Sequence, residues 1–137
     1  MTWRKSLVIY GPSAPVYACA VSGEFIYSTA GDRFVTRWNS SDGKQDAFTV
    51  KLDAPAYTLG IVSSEQLLII GCTNGTIIAI NMVSKQLAWE HNFLGKALFS
   101  VVDCPAEKWL VLGDAEGHLL VVDYTGKLLT TFHLDCG

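Results

Sequence analysis

Charge is scarce in this sequence: 17% of its 137 residues are Asp, Glu, Lys or Arg, and the formal net charge is −3. The ten Lys and Arg stand singly except for Arg4-Lys5. No basic patch of the kind a phosphate backbone needs can form, so nucleic acid is not an expected partner. Long apolar runs are also missing. None reaches the ~18 residues that a membrane-spanning helix requires, and no membrane partner is expected. The four cysteines, Cys19, Cys72, Cys104 and Cys136, form no CxxC pair and no Cys/His cluster. That spacing excludes a zinc site and a thioredoxin-type redox pair. Scattered free thiols fit the reducing cytoplasm, the expected location. Cys19, in an apolar stretch, reads as a small buried hydrophobe. Arg4-Lys5 precedes an apolar run, but Gly11-Pro12 interrupts it, so no secretory signal is expected.

What is abundant is hydrophobic: half of the chain, enough for a packed core and too much for disorder. It is arranged with a period. "TAGDRFVTRWN" (29–39), "GCTNGTIIAIN" (71–81) and "GDAEGHLLVVD" (113–123) follow one another at intervals of 42 residues. Phe25-Ile26, Leu67-Leu68 and Trp109-Leu110 keep the same step, as do Val35, Ile77 and Leu119. Tyr17 and Phe99 mark an earlier strand, and Tyr57 takes that place after a slip of two residues, supported by "APVY" at 14–17 and "APAY" at 54–57. "DGK", "SK" and "TGK" precede a last apolar stretch, the first turn reading one residue longer than the others.

Each unit splits into runs of about four to six residues rich in Val, Ile, Tyr and Trp, bounded by Gly, Asn, Asp, Ser and Lys. Strands are predicted at 15–20, 25–30, 33–38 and 46–51, at 57–62, 67–71, 75–80 and 86–92, and at 98–102, 109–112, 118–122 and 128–133, with no helix. Short loops such as "TNG" and "AEG" suit tight hairpins. "TIIAI" and "HLLVV" are apolar on both faces, which suits a sheet packed between two others. Four short antiparallel strands in ~42 residues is the arithmetic of a propeller blade. The predicted fold is all-β: a β-propeller arc of three four-stranded antiparallel blades (14–53, 54–94 and 95–135) plus an N-terminal strand at 5–11.

These motifs resemble the WD-repeat β-propeller family, whose third strands end in Trp-Asp. Here Trp38-Asn39, Ile80-Asn81 and Val122-Asp123 stand at that place, and Gly11-Pro12 occupies the position of the family's Gly-His. The His–Asp–Ser–Trp hydrogen-bond network of that family cannot be complete, so packing must replace it. The resemblance implies a non-enzymatic scaffold that binds a protein or peptide. "NGTIIAINMVSKQLAWEH" at 74–91 is similar to the quinoprotein-type propeller repeat, which is the alternative: a cofactor-binding dehydrogenase or an assembly scaffold. No cofactor is expected on the first reading.

The resemblance also implies that the strand at 5–11 acts as a clasp. "HLDCG" at 133–137 aligns with "KLDAP" at 51–55, so the expectation is a fragment of a ring of roughly six to eight blades. A wet blade face would forfeit roughly 10–20 kcal/mol, and self-association through the end blades is expected of such a fragment. Catalysis has little support. His91, His118 and His133 have no partner set by spacing, the latter two reading as solvated strand residues, and no nucleophile elbow surrounds Ser63-Ser64 or Ser100. Asp32, Asn74 and Glu116 recur at the turn between second and third strands, which favours a turn role over a metal site. Trp38, Trp89 and Trp109 read as core, and Arg37 as a side chain reaching the rim or an acidic partner. The candidate partner contacts are Pro15, Asp32, Arg33, Asn74, Asp114 and Glu116.

Overall fold

Three four-stranded antiparallel sheets follow one another along the chain in a computed structural model that describes residues 14–135. The first holds β1 (Val16–Ser22), β2 (Phe25–Ala30), β3 (Phe34–Asn39) and β4 (Gln45–Lys51) in that order. The second holds β5 (Ala56–Val62), β6 (Leu67–Cys72), β7 (Thr76–Asn81) and β8 (Leu87–Asn92). The third holds β9 (Leu98–Cys104), β10 (Trp109–Asp114), β11 (His118–Asp123) and β12 (Leu128–His133). β5 packs between β1 and β9, so the first strands lie innermost and the sheets fan outward as propeller blades. The predicted strand at 5–11 lies outside the described residues. One 3₁₀ turn, Ser63–Glu65, interrupts the expected absence of helix.

The two-residue slip comes from this connection. β1 and β2 are joined by Gly23 and Glu24 alone, whereas four residues, 63–66, join β5 and β6. The last hairpin differs from expectation. The amides of Asn39, Asn81 and Asp123 bond the carbonyls of Lys44, Gln86 and Lys127, so the third turn is one residue shorter and the first two are equal. In consequence Val121, the counterpart of Ala79, faces Thr130 rather than Thr131, while Ala79 faces Trp89.

Alternation explains why the middle strands are apolar on both faces. Leu68, Ile70, Ile78 and Ile80 turn to the seam with the first blade, where Tyr27, Val35 and Phe48 meet them. Leu67, Ile69, Ile77 and Ala79 turn the other way, onto Leu110, Leu112, Leu120 and Val122. Among the described residues, the Trp38 indole donating to Ser28 Oγ at 2.9 Å is the one link of that network in blade 1. Ile70 and Ile80, then Leu112 and Val122, stand at the same places in the other blades.

Two core expectations fail for one reason. Cys19 is exposed. Its counterparts Leu59 and Val101 pack against the preceding sheet, and no sheet precedes β1 among the described residues. Trp109 is exposed on the opposite end face together with Val102 and Phe132, because no further sheet covers β10 among the described residues. Trp38 is buried, and Trp89 is half-buried across the last hairpin, its indole donating to the Tyr124 carbonyl at 3.0 Å.

Arg37 reaches neither the rim nor an outside partner. It is 6% exposed in the first seam, its Nη2 donating to Asp46 Oδ1 at 2.8 Å and its guanidinium 4.0 Å over the Phe25 ring. The Phe48 amide and the Arg37 side chain hold the Asp46 carboxyl below the usual carboxylate range.

Within the third blade, on its side toward the second seam, the Tyr124 hydroxyl donates to Asp103. Burial, reinforced by that bond, pushes Tyr124 up to about 12. Burial also pushes the Cys72 thiol up to about 11. Both groups are harder to ionise folded than unfolded, so their contribution is full below pH ~9 and is lost as pH rises through about 9–12. Unfolding free energy should therefore fall by roughly 3–4 kcal/mol between pH 8 and 11, and by about 1 kcal/mol less in Tyr124→Phe. Urea midpoints at the two pH values check this; a flat profile refutes it.

Candidate functional site

The end of the fan that carries the β2–β3, β6–β7 and β10–β11 turns also carries the linkers between blades. Backbone alone fixes its outline. The amides of Gly31, Thr73 and Ala115 donate to the carbonyls of Pro15, Pro55 and Ala97 at 2.9, 2.8 and 2.9 Å, clipping each turn to the strand entry of its own blade. Asp32 Oδ1 accepts from the Phe34 amide and Asn74 Oδ1 from the Thr76 amide, each at 3.1 Å. In the third blade Asp114, not Glu116, takes this task, accepting from the amides of Glu116 at 2.9 Å and His118 at 2.8 Å.

The six candidate contacts thus occupy one end with different freedom. Pro15 is exposed, its carbonyl engaged in the clip. Arg33 is exposed at a positive φ of 66°, its Nη1 3.4 Å from the Asp53 carbonyl. Asp32 is half-buried. Asn74 is exposed, but its carbonyl accepts from Asn92 Nδ2 at 2.9 Å. Glu116 is exposed and pairs with Lys96 at 3.3 Å. The Asp114 side chain is 1% exposed and bonded to His118 Nδ1 at 2.9 Å. Desolvation is the largest influence on Asp114 and opposes ionisation. The two amides and the His118 ring outweigh it, so the carboxyl sits below its ordinary value.

Sequence spacing missed the histidine pairing. His118 is half-buried, held by Asp114, and stacked on exposed His133 with ring centroids 4.6 Å apart. His133 donates from Nε2 to the Glu116 carbonyl at 3.2 Å, so the pair braces the turn from both sides. The signal was an Asp–His spacing of four across a tight turn, legible only once the hairpin is drawn. Among the described residues no group of three His, Cys, Asp or Glu is placed to hold a metal ion.

An aromatic ladder also escaped the sequence. Tyr17, Tyr57 and Phe99, read above only as strand markers, converge on the innermost strands. Tyr17 and Tyr57 meet edge to face at 5.0 Å, and Tyr57 and Phe99 stack at 5.5 Å. They remain 42%, 37% and 52% exposed. Each is the extra residue of a β-bulge: register shifts fall between Val16 and Ala18, between Ala56 and Thr58, and beside Phe99 where Asp114 faces Leu98 and Gly113 faces Ser100. A bulge re-aims one side chain without breaking the strand. Here it leaves the Tyr17 ring beside the β2–β3 turn, where a Cβ on Gly31 would lie 3.4 Å from its hydroxyl. Flat exposed rings in sequence along an axis suit stacking against proline, aromatic or aliphatic side chains.

No family model matches the sequence, and no curated protein does. Solved structures do match. The structure of U3-55K aligns with a TM-score of 0.87 over 95% of this chain at 14% identity, and the RRP9 WD40 repeats align at 0.86 over 93% at 14% identity. BamB from Moraxella catarrhalis aligns at 0.72 over 85% at 17% identity. The chain spans 42%, 41% and 34% of those three chains. The likeness is one of fold: the three sheets are propeller blades of the WD40 kind, with the BamB propeller also similar.

Proposed function

We propose that the chain is a non-enzymatic scaffold that docks a protein or peptide on the end carrying the β2–β3, β6–β7 and β10–β11 turns. The exposed ladder of Tyr17, Tyr57 and Phe99 carries this reading, because three rings in contact with one another leave contiguous apolar surface open. Binding energy at such surfaces concentrates in aromatic anchors. Pro15, Arg33, Asn74 and Glu116 would supply the polar rim around them. A displayed peptide library selected on the 137-residue chain tests it. The expected result is a consensus with an apolar or aromatic anchor whose affinity drops about tenfold or more, ~1.4 kcal/mol, in Tyr57→Ala and is unchanged in Trp109→Ala. No consensus, or one indifferent to Tyr57, would overturn the reading.

A further inference from the structure

The three blades do not enter their second strands alike, and the difference gathers charge at one spot. Two residues join β1 to β2, but four join β5 to β6 and four join β9 to β10, 63–66 and 105–108. Glu65 and Glu107 hold the same position in these longer turns, 42 residues apart. Both line one open cavity of about 470 Å³, at the end of the fan opposite the proposed docking site. Trp109, 38% exposed, and Leu129, 41% exposed, give it an apolar wall.

Some polar groups there are already committed. Asp123 Oδ1 accepts from the Thr125 hydroxyl at 2.7 Å and from the amides of Thr125 and Lys127, and the Tyr124 hydroxyl donates to Asp103. Glu65 and Glu107 are exposed, and their carboxylates make no hydrogen bond or ion pair among the described residues. The cation–π contacts among those residues both belong to Arg37, so none of their cations covers the Trp109 ring. The lining carboxylates of Glu65, Glu107 and Asp123 face one ammonium, Lys108. Asp103, bonded to Tyr124, and Lys127, which acts on Asp123, add one charge of each sign. The excess is negative.

We infer that this cavity is a binding site for an arginine side chain of a protein or peptide partner, its guanidinium stacked on the Trp109 indole, with Glu65 and Glu107 supplying the opposing charge. Charge selects a cation, because a carboxylate would add to the excess already present. Indole is the ring that cations favour most. Shape selects arginine. Its planar group stacks on an aromatic face and offers paired N–H donors to carboxylates, whereas an ammonium is a compact and strongly hydrated point charge. The volume admits one long side chain with part of its backbone.

N-acetyl-arginine amide and N-acetyl-citrulline amide have nearly one shape and differ in charge, so together they test the assignment. Each is titrated at constant ionic strength into the 137-residue chain. The Trp109 indole N–H and the backbone amides of Lys108 and Thr125 are followed by ¹H–¹⁵N NMR, with the Trp38 indole of the first blade as the reference. The expected result is a saturable shift of the three signals with the arginine probe, and binding about tenfold weaker with citrulline. Glu65→Gln combined with Glu107→Gln should bring the arginine probe down to the citrulline level. Trp109→Leu, read on Lys108 and Thr125, should weaken it about threefold or more. These side chains are exposed, so the variants should fold. Equal binding of the two probes, an unsaturable drift, or full affinity in the double glutamine variant would overturn the site. In the peptide display, sequences that depend on Trp109 belong to this cavity and those that depend on Tyr57 to the other end, so the two readings fail independently.

Discussion

Ile69→Ala and Ile70→Ala should each lower unfolding free energy by about 2–5 kcal/mol, the range for emptying a fully buried aliphatic site. The two residues are neighbours in sequence and point into different seams, Ile69 toward Leu110 and Leu112, Ile70 toward Tyr27 and Phe48. Both are 0% exposed, so neither cavity can fill with solvent-side rearrangement alone. Since the middle blade holds both seams, the double variant should lose more than either single change, enough to unfold most domains of this size. Val21→Ala, on the open side of β1, should stay within about 0.5 kcal/mol. Urea midpoints of the four proteins decide it. An Ile69→Ala variant as stable as Val21→Ala would mean that the second seam does not hold the third blade.

Gly75→Ala should cost about 2–4 kcal/mol, from backbone strain together with a clash that has no soft partner. Gly75 sits at φ +90°, and an added Cβ would lie 2.8 Å from the Gly95 backbone and from the Lys96 nitrogen. Asn92 ties these segments further, its Nδ2 donating to the Asn74 carbonyl and its Oδ1 accepting from the Gly95 amide at 2.8 Å. Gly23→Ala is the control. Its φ is +58° and nothing lies within 4 Å of the added Cβ, so only the conformational term remains, roughly 1 kcal/mol. Thermal melting of both variants gives the comparison. Equal losses would show that the close approach of the linker to the turn contributes nothing.

The strands were legible because period-two alternation and the repeat are local signals. β2 was predicted at its observed bounds, and β3 and β4 within one residue. The Asx turns of Asp32 and Asn74 were legible for the same reason. What was hidden depends on which sheet lies next to which. Trp109 and Leu67 hold the same register position, yet among the described residues only Leu67 faces a neighbouring blade. Arg37 sits in a position that its sisters fill with Ala79 and Val121, and composition cannot tell a buried ion pair from a rim contact. Tyr17, Tyr57 and Phe99 were aligned correctly, but a bulge leaves no mark in a hydrophobicity pattern, so their convergence emerged only in three dimensions.

The clips from Gly31, Thr73 and Ala115 to Pro15, Pro55 and Ala97 use amide and carbonyl groups that nearly every residue carries. Substitution at the exposed loop positions therefore leaves the frame of this surface standing. The chemistry of recognition can drift, letter by letter, while the architecture that presents it is inherited whole. A lineage built on such a frame can change what it grips without first learning to fold again.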